Sequence, residues 1–111
     1  FLMLQNGRAA AFMMDDILLA GEKSKAINPE KWVIVGTAPI QEIYGCMLRK
    51  GDTGFKQVVD GAITETYKSG QINEMYKKWF QSAVPPKNIN LNFEMSDQLK
   101  ALIANPHDRD E

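Results

Sequence analysis

Apolar positions along the chain fall into two kinds of pattern, short uninterrupted runs and longer periodic stretches, and the two predict different elements. Phe1-Leu2-Met3-Leu4-Gln5-Asn6-Gly7 reads as the last turn of a helix closed by a glycine, which can take the left-handed conformation that ends helices. Residues 10–14 form an apolar run with no polar alternation, the pattern of a strand covered on both faces in a parallel sheet. Asp15-Asp16 then predicts a helix start, since an acid at the N-cap accepts backbone N–H bonds and suits the positive end of the helix dipole. That helix is expected to run to about Ala26 with Ile17, Leu18 and Gly21 inward, and Asn28-Pro29 breaks it. Trp32-Val33-Ile34-Val35 is apolar and β-branched, a second buried strand, so the region reads as a βαβ-like unit.

Residues 36–43 hold a glycine and a proline with little hydrophobic pattern and read as a connector. A further strand is expected over 44–48, followed by a turn at Lys50-Gly51-Asp52. Phe55, Val58, Val59, Ala62, Ile63 and Tyr67 then fall on one helix face, and Gly70 ends that helix. The next helix carries Ile72, Met75, Tyr76, Trp79 and Phe80 as a core stripe, with Lys77 and Lys78 on its wet side. Pro85-Pro86-Lys87 is expected to hold an extended crossing segment, residues 88–93 a short edge strand, and Ser96-Asp97 to cap a last helix through Leu99, Leu102 and Ile103.

Composition narrows the function. With 111 residues, 44% hydrophobic and 24% charged, the chain matches a folded domain rather than a disordered tract. Thirteen Lys and Arg against 14 acids, scattered along the chain, give a net charge of −1 and leave no electrostatic footprint for nucleic acid. No apolar run approaches the ~20 residues that span a bilayer, and no basic-then-apolar leader is visible. The opening without an initiator Met is compatible with a processed or truncated product. Cys46 is the only cysteine; it reads as a small buried hydrophobe or as a bridge to a cysteine outside these residues. One Cys and one His, His107 in the polar tail, cannot build a four-ligand zinc site, and no cofactor is implied. The nucleophile-elbow, phosphate-loop, zinc-protease, CxxC and dinucleotide-binding motifs are all absent.

Asp15 is the residue with a candidate role. It stands at the carboxyl end of an expected strand, where open α/β sheets place ligands, and a carboxylate there can take a charge-assisted hydrogen bond from an ammonium group. The plainer reading is an N-cap, and the two are compatible.

The run 7–16 (Gly-Arg-Ala-Ala-Ala-Phe-Met-Met-Asp-Asp), then Tyr44-Gly45-Cys46-Met47-Leu48-Arg49-Lys50 and Tyr76-Lys77-Lys78-Trp79-Phe80, resembles the periplasmic solute-binding proteins of polar amino-acid ABC importers. The tail from Pro85 to Phe93, followed by Met95-Ser96, is most similar to the glutamate/aspartate-binding branch. The resemblance covers essentially the whole chain.

It implies an α/β fold of the type II periplasmic binding protein kind, with two lobes that close on the ligand, of which this chain is a fragment. Residues 1–38 would be a second-lobe segment, 39–43 the return hinge, and 44–111 the C-terminal segment of the first lobe with a helical tail. Asp15 matches the family's acid that grips the α-ammonium of the bound amino acid; Ala10 departs from the acid that many relatives carry there, a position that is not a ligand contact. The expected ligand is L-glutamate or L-aspartate and the expected partners are the membrane subunits of an ABC importer. The donors that hold the α-carboxylate belong to a part of the family's chain lying before these residues, and neither Arg8 nor Arg49 matches them. The 111 residues alone are therefore expected to bind weakly or not at all, and exposed strand edges to invite self-association. Two other readings stay open: an enzyme on the same scaffold, of the dehydratase or lytic-transglycosylase-associated kind, or the ligand-binding domain of a membrane sensor.

Overall fold

The computed structural model describes residues 1–36, 40 and 44–107. They fall into two compact units drawn from interleaved stretches: Phe1–Thr37 with Lys78–Glu94, and Ala38–Lys77 with Met95–Glu111.

The first unit opens with α1 (Leu2–Gln5). Its end is closed twice: the Gly7 N–H donates to the Leu4 carbonyl at 3.1 Å and the Arg8 N–H to the Met3 carbonyl at 2.9 Å. This pair of bonds requires a left-handed residue between them, and Gly7 supplies it at φ +68°. After residues 10–14 comes α2 (Asp16–Ser24), two residues shorter than expected. Ala20 is its buried residue, and Ile17, Gly21 and Ser24 are half-covered on the same face; Leu18, expected inward, is exposed. A 3₁₀ turn, Pro29–Lys31, follows the break at Asn28. Later in the chain, residues 81–94 fold back as a closed loop. The Val84 N–H donates to the Ile89 carbonyl at 3.1 Å, the Phe93 N–H to the Phe80 carbonyl at 3.1 Å, and the Gln81 side-chain amide to the Glu94 carboxylate at 3.0 Å. The two prolines therefore sit in a reversal, with a cis bond between them and Asn88 at φ +50°, and not in an extended crossing.

In the second unit the Asp52 N–H meets the Arg49 carbonyl at 3.2 Å to close a turn, and α3 (Thr53–Lys68) starts there. Asp52 caps it through the Phe55 N–H at 3.0 Å. Gly70, at φ +78°, separates α3 from α4 (Gln71–Phe80). α5 (Asp97–Ala104) is capped as expected, Ser96 Oγ accepting from the Leu99 N–H at 3.2 Å. It packs on α3 with Leu99, Leu102 and Ile103 half-buried. Along α4 the stripe divides: Ile72, Tyr76 and Phe80 are covered, whereas Met75 and Trp79 are exposed and the Lys78 ammonium lies 5.0 Å from the Trp79 ring centroid. On α3, Phe55, Val58, Ala62 and Ile63 are also exposed, so only part of its expected inward face is covered.

The α/β expectation is overturned. Among the described residues there is no β-strand and no sheet, and the regular structure is helical; the only β pairing is the isolated bridge Val84–Ile89. The runs 10–14, 32–35 and 44–48 lack ladder bonds, and much of their apolar surface faces solvent: Met13 is 83% exposed, Val35 78% and Met47 97%, whereas Trp32 and Leu48 are half-buried. Apolar, β-branched composition suits a pleated, half-buried surface, but a strand exists only through bonds to a neighbour, and no described segment supplies one. The expected edge strand over 88–93 reduces to the single bridge for the same reason. The hinge expected at 39–43 lies outside the described residues, Ile40 excepted. No helix among the described residues is long and apolar enough to cross a membrane.

Candidate functional site

Asp15 occupies the N-cap of α2, with φ −53° and ψ 140°, and is exposed. Its carbonyl accepts the first helical bond, from the Leu19 N–H at 2.9 Å. Its side chain makes no capping hydrogen bond to the helix. The neighbouring carboxylate serves the helix start instead: Asp16 Oδ1 accepts from the Ile17 N–H at 2.7 Å. Asp15 thus stands, exposed, at the positive end of a nine-residue helix. Such a group can accept charge-assisted hydrogen bonds from an ammonium ion.

Three aromatic side chains meet next to this segment in the first unit. The Phe1 ring stands edge-on to Trp32, with centroids 5.4 Å apart and planes at 67°, and meets Phe12 at 6.5 Å and 53°. Sequence reading placed Phe12 and Trp32 on two strands and gave no reason to pair either with Phe1; the only available signal was that all three are large aromatics in otherwise aliphatic runs.

A shallow depression of about 230 Å³ lies in the second unit, lined by Cys46, Leu48, Arg49, Gly51, Asp52, Thr53 and Lys56. Its ionic groups hold the helix: Asp52 caps α3, and Lys56 pairs with Asp60 at 2.6 Å, one turn along. Cys46, expected to be buried, is exposed at its rim. Arg8 is exposed at the end of α1 and is not brought to Asp15 by any described contact; His107 is exposed, its ring within 2.8 Å of the Asn105 carbonyl. No cluster of three His, Cys, Asp or Glu that could hold a metal occurs among the described residues.

Comparison with known proteins turns this local geometry into a family assignment. Over 109 residues, 98% of its length, the chain is 61% identical to an L-glutamate/L-aspartate-binding protein of Pseudomonas aeruginosa. It is 52% identical over the same share to glutamate/aspartate import solute-binding proteins of Escherichia coli and of Salmonella typhimurium. Over its own length the chain is homologous to a part of these amino-acid solute-binding proteins. The kinship read from residues 7–16, 44–50, 76–80 and the proline-led tail is therefore shown, although no family model matches the chain. It spans 36% of the length of each of these solute-binding relatives. Their names describe binding and import, and none names a reaction.

Proposed function

We propose that the chain is part of an extracytoplasmic receptor that captures L-glutamate or L-aspartate in the periplasm and delivers it to the membrane subunits of an ABC importer, without transforming it. The observation that carries this is the 61% identity to a glutamate/aspartate-binding protein, spread over 98% of the chain rather than confined to one motif. Within the proposal Asp15 holds the α-ammonium of the ligand. Its exposed place at the positive end of a helix supports that role. The assignment of 1–38 and 44–111 to separate lobes joined at 39–43 is part of the same proposal, and so is self-association of the 111 residues through their exposed apolar runs.

Calorimetric titration of L-glutamate and L-aspartate tests it, using both the 111-residue chain and the longest natural polypeptide that contains it, here called the parent chain. The expected result is binding by the parent chain, at least tenfold weaker after Asp15→Ala, which removes a charge-assisted bond of about 1.5–3 kcal/mol. The 111 residues alone are expected to give no heat. A parent chain that ignores both amino acids removes the ligand assignment, and tight binding by the 111 residues alone means that the site lies wholly within them.

A further inference from the structure

The three rings of the first unit bear on where Asp15 stands. Phe12 lies three positions before Asp15 on a run with no ladder bonds, and Phe1, on which it rests, is itself set against Trp32. Each ring arrives from a different place: Phe1 from the cap of α1, Phe12 from the run leading to α2, Trp32 from the end of the 3₁₀ turn. Edge-to-face and tilted ring contacts are directional, because the positive ring edge seeks the negative face. A chain of two such contacts therefore orients the backbone it carries, and does more than cover it.

We infer that Trp32, through Phe1 and Phe12, is a positioning residue for the Asp15 carboxylate: the rings fix the course of residues 12–15 and so the place from which Asp15 meets a ligand ammonium. This rests on the proposed role of Asp15, and it adds a residue seventeen positions further along the chain. Met13 and Met14, between the ring and the acid, are exposed, which leaves the Phe12 ring as the nearest described side-chain attachment before Asp15.

The test uses the parent chain with two readouts. Trp32→Leu removes the ring and is expected to weaken binding of L-glutamate or L-aspartate, whichever binds tighter, by roughly fivefold, the equivalent of one aromatic pair. Trp32→Phe keeps an aromatic edge and is expected to stay within about twofold of the natural chain. The second readout is amide hydrogen exchange at Leu19, whose N–H bonds the Asp15 carbonyl, against Leu99, which is held by Ser96 in the other unit. Trp32→Leu is expected to accelerate exchange at Leu19 and not at Leu99; Phe12→Leu repeats the experiment if Trp32→Leu does not fold. Equal acceleration at both amides, or failure of Trp32→Phe to restore affinity, reduces Trp32 to general packing and overturns the inference. Unchanged affinity after Trp32→Leu, with Asp15→Ala still weakening binding, overturns it while leaving the role of Asp15 intact. If Asp15→Ala has no effect, the ligand role itself falls, and Leu19 exchange still reports whether the rings fix that segment.

Discussion

Asp52 and Ser96 each present a side-chain oxygen to the N–H three residues on, whereas Asp15, at the same position of its own helix, does not. The difference can be measured. A capping bond of this kind stabilises by about 1 kcal/mol, so Asp52→Ala and Ser96→Ala should each lower the stability of the parent chain by about that much in urea denaturation. Asp15→Ala should weaken ligand binding, which neither of those two substitutions should do. A loss of stability as large as that of Asp52→Ala, with affinity unchanged, would make Asp15 a structural residue. From sequence Asp15 and Ser96 read alike as caps, because Asp or Ser before an apolar stretch signals a helix start whichever way the side chain turns, while Asp52 read only as part of a turn. Asp15 was legible as a helix start and its lack of a cap bond was not, since that depends on rotamer and on Asp16 taking the Ile17 N–H.

Among the elements, those made of contacts a few residues apart were legible and those needing distant partners were not. The helices at 16–24, 53–68, 71–80 and 97–104 follow from apolar spacing, from helix-start residues such as Asp15 and Ser96 and from Gly70 after 53–68, all signals within one or two turns. The runs 10–14, 32–35 and 44–48 carry an equally clear apolar signal, yet become strands only if another segment bonds to them. The loop over 81–94 escaped for a different reason. Two prolines suggested an extended rod, while the reversal is held by Asn90: its side-chain amide donates to the Gln81 carbonyl at 3.1 Å, and its oxygen accepts the Asn92 N–H at 2.8 Å. Asn90→Ala leaves both backbone groups to find water, at about 1–2 kcal/mol in this half-covered site. Amide exchange at Val84 and Phe93, the two N–H groups that close the loop, should quicken in that variant. Protection as strong as before would mean that the Phe80 and Ile89 carbonyl bonds hold the loop unaided.

At the scale of the whole chain, the buried apolar side chains among the described residues are Ala20 and Tyr76, while Met13, Val33, Val35 and Met47 are each more than three-quarters exposed. Fixing a residue's backbone costs about 1–2 kcal/mol, and fully burying a large apolar side chain returns about 1.5–3 kcal/mol. So little burial cannot offset the ordering of this many residues. The 111-residue polypeptide by itself should therefore unfold gradually in urea, bind an apolar fluorescent dye and sediment as a concentration-dependent mixture, as expected from large exposed apolar patches. A sharp two-state transition from a monomer would contradict this.

The interleaving of the two units also bears on how the chain is born. The ribosome emits Phe1–Thr37 before Lys78–Glu94, and the unit these two stretches form is complete only some sixty residues later. At ~5–20 residues per second that is a wait of several seconds, with Ile17, Leu19 and Trp32, half-buried in the finished unit, already synthesised. During that interval a nascent-chain chaperone has an open apolar target, and pauses in translation before residue 94 would lengthen its hold.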